Sequence, residues 1–159
     1  MVAVVVAGMA SGCGVAIPAD PEGTFDRVSG GELRVGASPD GELVAVDVDR
    51  GAGGRVDGAL ADLVEGFADD IDAEVSWTIG REESLVGALE EGELDLVIGG
   101  MTDETPWTDR AAVTRGFPDL PGVEGDRSVV FLARLGENRF IGAVERFLDE
   151  ETRGGEAAR

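Results

Sequence analysis

Polar and apolar residues alternate along Glu32-Leu33-Arg34-Val35-Gly36-Ala37, the period of a strand, and Ser38-Pro39-Asp40-Gly41 behind it reads as a turn. Residues 43–48 are rich in β-formers, and 49–54 read as a flexible loop. The period then changes. Leu60, Leu63, Val64, Phe67 and Ile71 fall on one face of a helix, with Asp62, Glu65 and Asp69 outside it and Asp57 placed to cap it. A second strand is expected over 73–79, and a second helix over 82–91 turns Leu85, Val86 and Leu89 inward and ends at Gly92. Leu94-Asp95-Leu96-Val97-Ile98 is short and almost continuously apolar, as in a strand covered on both faces, and Gly99-Gly100 follows at its carboxyl end. Prolines 106, 118 and 121 break the pattern from 102 to 127, leaving loop with one helical turn over 109–114. A strand over 128–133 and a helix over 137–151, with Phe140, Ile141, Val144, Phe147 and Leu148 on one side, complete the pattern. Strands alternating with helices predict an α/β fold of three layers: a mostly parallel sheet with helices on both faces. In such sheets ligands lie beyond the carboxyl ends of the strands.

The amino-terminal residues carry a different signal. Met1 to Gly12 is an apolar, small-residue run too short to span a bilayer, followed by Cys13 and a Pro/Gly-containing stretch. Ala10-Ser11-Gly12-Cys13 resembles the bacterial lipobox, which implies a lipid on Cys13 and an extracytoplasmic, membrane-anchored protein. Two other readings compete: a buried strand over 2–7 feeding a glycine-rich loop, and an ordinary core cysteine. The loop 8–14 has neither the Lys-Ser/Thr of a phosphate loop nor the spacing of a dinucleotide fingerprint. The expected organisation is a signal segment at 1–12, a linker at 13–31, one lobe at 32–151 and a polar tail at 152–159.

Composition narrows the function. At 159 residues the chain has room for one domain with a real core. Thirteen arginines against 33 acidic residues leave a net charge of −20, which repels a phosphate backbone and excludes nucleic acid as a partner. Without histidine or lysine, and with one cysteine, the usual general base, the thiolate–imidazole pair and most zinc sites are unavailable. No enzyme, cofactor or metal is expected. The acid pairs Glu82-Glu83, Glu90-Glu91 and Asp69-Asp70 belong on solvated faces, and the calcium-loop pattern begun at Asp47 fails where Gly58 stands in place of the bidentate glutamate.

Three stretches taken together carry a resemblance: Glu32 to Asp40, Gly58-Ala59-Leu60-Ala61-Asp62-Leu63, and Leu89-Glu90-Glu91-Gly92-Glu93-Leu94-Asp95-Leu96-Val97-Ile98-Gly99-Gly100-Met101-Thr102. They are similar to the amino-terminal lobe of the solute-binding proteins of amino-acid ABC transporters, bacterial extracellular solute-binding protein family 3. The likeness covers about residues 32–112, and the strand and helix from Ser128 resemble the segment by which that family's chain returns to this lobe. The stretch between Val113 and Ser128 is too short for the second lobe, since a domain needs roughly 50 residues.

The resemblance implies a ligand loop in which Gly100, Thr102 and Arg110 hold the carboxylate of an amino acid, with arginine matching it bidentately. It also implies an aromatic platform, absent after the first strand; Trp107 in the loop is the candidate, and Trp77 belongs to the core. The implied partners are an amino acid or small carboxylate, an ABC permease or other envelope protein, and the membrane through the lipid. With half a clamp, affinity should be low. The alternative is a degenerate lobe retained as a protein-interaction or envelope accessory module.

Overall fold

The computed structural model describes residues 20–47 and 55–157. The expectations for the signal segment, for Cys13 and for the loop at 49–54 lie outside the described residues. Helices α1 (Thr24–Val28), α2 (Ala59–Asp70), α3 (Glu82–Glu90) and α4 (Asn138–Ala157) surround strands β1 (Glu32–Ala37), β2 (Ala45–Asp47), β3 (Arg55–Asp57), β4 (Glu74–Ile79), β5 (Leu96–Ile98), β6 (Ala112–Val113) and β7 (Leu132–Ala133). Five strands form one sheet in the order β4-β1-β5-β7-β6, and β2 and β3 form a separate antiparallel pair. β1 runs parallel to both β4 and β5, while β7 is antiparallel to β5 and β6. The mostly parallel α/β fold expected from the pattern is present.

Alternation along the strands sends side chains into two cores. Leu33, Val35 and Ala37 of β1, with Leu96 and Ile98 of β5, face a large core built with Val28 of α1, Leu60, Val64 and Phe67 of α2, and Phe140, Val144 and Leu148 of α4. Phe67 meets Phe140 and Phe147 edge to face, at centroid distances of 6.1 and 5.7 Å. On the other face, Val97 and Leu132 meet Leu85, Val86 and Leu89 of α3. Gly36 lets α3 come this close: a Cβ there would stand 2.8 Å from Leu94 Cδ1 and 3.0 Å from Leu85 Cδ2.

Several local expectations are corrected. The cap of α2 is Gly58, at φ +110°, and Asp57 instead lies in β3, where it accepts from Arg55 Nε at 2.6 Å. The α2 amino terminus is satisfied by backbone: the Leu60 N–H donates to Leu43 O at 3.0 Å. Pro106 starts a 3-10 turn at Pro106–Asp109, displacing the helical turn expected at 109–114, and the chain then extends as β6 to pair with β7. Only the end of the expected strand at 128–133 is ladder, with Val129 making single bridges to Thr102 and Phe117.

The described part of the expected linker, residues 20–31, is folded onto the lobe, and α4 runs on through the expected tail to Ala157. Two carboxylates lock this end. Asp20 Oδ2 accepts the Phe25 N–H of α1, while its Oδ1 accepts the Arg139 and Phe140 N–H groups of α4. Glu137, fully buried, accepts the Glu22 and Thr24 N–H groups through its two oxygens at 2.9 Å each. Each acid therefore ties α1 to the start of α4, supplying acceptors that helix amino termini lack.

Candidate functional site

Sheet order locates the site. The chain leaves β1 to form β4 on one side and returns to form β5 on the other, so the winding reverses between β1 and β5. Loops leaving adjacent strands on opposite sides of such a reversal diverge and leave a crevice at their carboxyl ends. Here those loops are Ser38-Pro39-Asp40 and Gly99-Gly100.

The two strands are fixed from their far ends by Asp95, the residue before β5. Its carboxylate is fully buried and accepts from Arg34 N–H and Nε at 3.0 Å each, from Arg34 NH2 at 2.7 Å, and from Arg27 of α1. The same hydrogen bond to Asp95 holds the Arg34 pKa above its ordinary value, against the opposing effect of burial. β1 and β5 are thus pinned in relative register below the point where their loops separate.

At the carboxyl edge, Gly99 is buried beneath Ser38: a Cβ on it would lie 3.0 Å from Ser38 Cβ and 3.2 Å from Ser38 O. Gly100 is tighter still, since its Cβ would fall 2.6 Å from the Asp40 carboxyl carbon. The glycine pair does permit close backbone approach, but the approaching group is the chain's own β1 loop. Over this contact lies Arg127, whose NH2 donates to Asp40 Oδ2 at 2.7 Å and to Gly100 O at 3.2 Å. Both charged side chains remain partly exposed, 40% for Arg127 and 32% for Asp40.

Of the four residues expected in a ligand site, the structure brings two to this edge. Gly100 is there, and Thr102 follows it, held by a bridge to Val129. Trp107 and Arg110 are joined to each other instead, with the Arg110 guanidinium 5.5 Å from the Trp107 ring centroid. Their polar partners are on α3: Trp107 Nε1 donates to Glu82 Oε2 at 3.3 Å, and Arg110 pairs with Glu90. That ion pair lowers the Glu90 pKa and raises that of Arg110. An arginine already held by a carboxylate of its own chain is not presented to a solute carboxylate, and Trp107 packs against the smaller core. The 3-10 turn Pro106–Asp109 carries both residues to their partners on α3.

Sequence reasoning missed Asp40 and Arg127 as site residues. In the sequence Asp40 reads only as part of the turn after the first strand. Arg127 stands in a Pro/Gly-rich loop with no periodicity, 87 positions from its partner, and nothing local signals the pairing.

No protein-family model matches the chain, and no curated protein sequence matches it. Solved structures do. Domain 1 from TmArgBP, a point mutant in its arginine-bound form, superposes with a TM-score of 0.68 at 22% identity, over 81% of this chain and 98% of that one. An ancestral cationic amino acid solute-binding protein gives 0.67 at 16% identity, over 84% and 95%. AbpA from Streptococcus pneumoniae, an amino acid ABC transporter substrate-binding protein bound to L-arginine, gives 0.63 at 11% identity, over 79% and 90%. At these identities the likeness is one of fold, and at that level the resemblance drawn from the sequence holds.

Proposed function

Proceeding from the fold of a single solute-binding lobe, we propose that this chain is a binding protein, not an enzyme, that holds an amino acid or similar small carboxylate-bearing solute between the loops leaving β1 and β5. The observation that carries this reading is the convergence of Asp40, the Gly100 carbonyl and Arg127 at the reversal of winding. Asp40 and the carbonyl suit a cationic group, and the Thr102 hydroxyl with neighbouring backbone suits the carboxylate. Arg110 would join only by leaving Glu90. One of the similar structures is a lone domain of an arginine-binding protein in its arginine-bound form, which supports binding without closure by a second lobe. The lobe is proposed to work outside the cytoplasm, anchored through a lipid on Cys13 and serving an ABC permease.

Calorimetry and thermal shift with a panel of amino acids, arginine included, test the reading. Millimolar or tighter binding that weakens on Thr102→Val is the expected result; no heat and no shift at millimolar solute would remove it. The rival reading is an interaction module, favoured by the fact that the chain's own ion pair covers Gly100. It predicts a stable protein partner in a mild-detergent pull-down of the anchored form and no solute response.

A further inference from the structure

The carboxyl edge between β1 and β5 holds a guanidinium already, and it is the protein's own. Arg127 reaches back from the loop before β7 and places one nitrogen on the Asp40 carboxylate and on the Gly100 carbonyl together. An anionic oxygen and a neutral carbonyl oxygen, offered side by side to one N–H-bearing cation, make a cation subsite rather than an anion subsite. The absence of a Cβ on Gly100 lets the Asp40 carboxylate sit this close, so the acceptor pair is built into the backbone.

We propose that Asp40 and Gly100 O form a subsite for the guanidinium or ammonium group of a small solute, and that Arg127 is its internal occupant, which the solute must displace. This rests on the reading above that solutes enter at this edge, and adds that the site is self-inhibited. An incoming cation replaces Arg127 one for one, keeping Asp40 paired, and the freed guanidinium, partly exposed already, passes into solvent. Affinity in the intact protein is reduced by the fraction of molecules in which Arg127 has left. One partly exposed ion pair and one hydrogen bond make that reduction about three- to tenfold.

The test compares the intact chain with Arg127→Ala and Arg127→Gln, with L-arginine and methylguanidine as probes, reading calorimetric affinity and the shift of the Gly100 amide by NMR. The expected result is L-arginine affinity about three- to tenfold higher in both variants, with methylguanidine shifting Gly100 far more strongly in the variants than in the intact chain. Adding Asp40→Asn to Arg127→Ala should abolish the methylguanidine response while the fold, followed by circular dichroism, persists. If L-arginine binds the intact chain and either variant binds it equally or more weakly, Arg127 is a ligand-holding or neutral residue and the inference is overturned, while the solute-binding reading stands. If methylguanidine binds the variants but no amino acid binds any form, the subsite stands and the solute-binding reading falls. If neither probe binds any form, both fall.

Discussion

Replacing Asp95 by alanine should remove about 3 kcal/mol of stability, and the figure follows from what its carboxylate holds. Four donors reach it: the Arg34 backbone N–H, two Arg34 side-chain nitrogens and Arg27. Breaking a buried ion pair by removing one partner costs roughly 3–5 kcal/mol, mainly because a charge is left without compensation. Here the stranded guanidinium groups are 29% and 43% exposed, so water recovers part of that loss and the low end of the range applies. What water does not restore is the Arg34 N–H at the start of β1, an orphaned donor worth about 1–3 kcal/mol if buried. Asp95→Asn keeps one acceptor for that N–H and should cost less, about 2 kcal/mol. Urea unfolding at pH 7, followed by circular dichroism and tryptophan fluorescence, supplies both numbers. A double-mutant cycle with Arg34→Ala should show a coupling of about 1 kcal/mol or more. A loss below about 1 kcal/mol for Asp95→Ala would refute the claim that this carboxylate fixes the register of β1 and β5.

Burial pushes the Glu137 pKa up, but the backbone N–H groups of Glu22 and Thr24, with the other favourable contacts including the charge of Arg134, together hold it below the ordinary value. Its contribution is therefore complete above the unfolded pKa and is lost as pH falls through the folded one. Glu137→Gln should lose about 1–2 kcal/mol at pH 7, and the gap from the native protein should close in melts below about pH 4. Gly58→Ala puts a Cβ 2.6 Å from Glu42 O at φ +110°, so a cost of about 2 kcal/mol or more is expected, seen as a lower urea midpoint. Arg110→Ala removes an exposed pair with Glu90 and should leave the urea midpoint almost unchanged; in calorimetry it should leave solute affinity unchanged, whereas a clear loss would return Arg110 to the site.

The layered architecture was legible because burial on both faces writes itself locally: Leu96-Val97-Ile98 is apolar without a gap, and the face of α2 repeats at helical spacing. Short strands were not legible. β6 and β7 are two residues each and exist by pairing with distant chain, so residue patterns at 109–114 and 128–133 gave the wrong or too long an element. α1 reads as linker in the sequence because five residues carry no period; it is held by acids from elsewhere, Glu137 above all. The site divides in the same way. Gly99-Gly100 announces a close backbone approach, but which side chain approaches depends on Asp40 and Arg127, contacts of long range that a local pattern does not encode.

The double lock of Asp20 and Glu137 has an orientational consequence. It sits with α1 and the start of α4 below the amino ends of the central strands, since α1 leads into β1 and its Arg27 reaches the residue before β5. Asp40, Gly100 and Arg127 lie at the opposite pole, the length of the six-residue β1 away, about 20 Å. If the chain is moored to a bilayer through Cys13, as proposed, the mooring line enters at a rigid plinth and the mouth of the lobe points away from the lipid, toward whatever arrives from the outside.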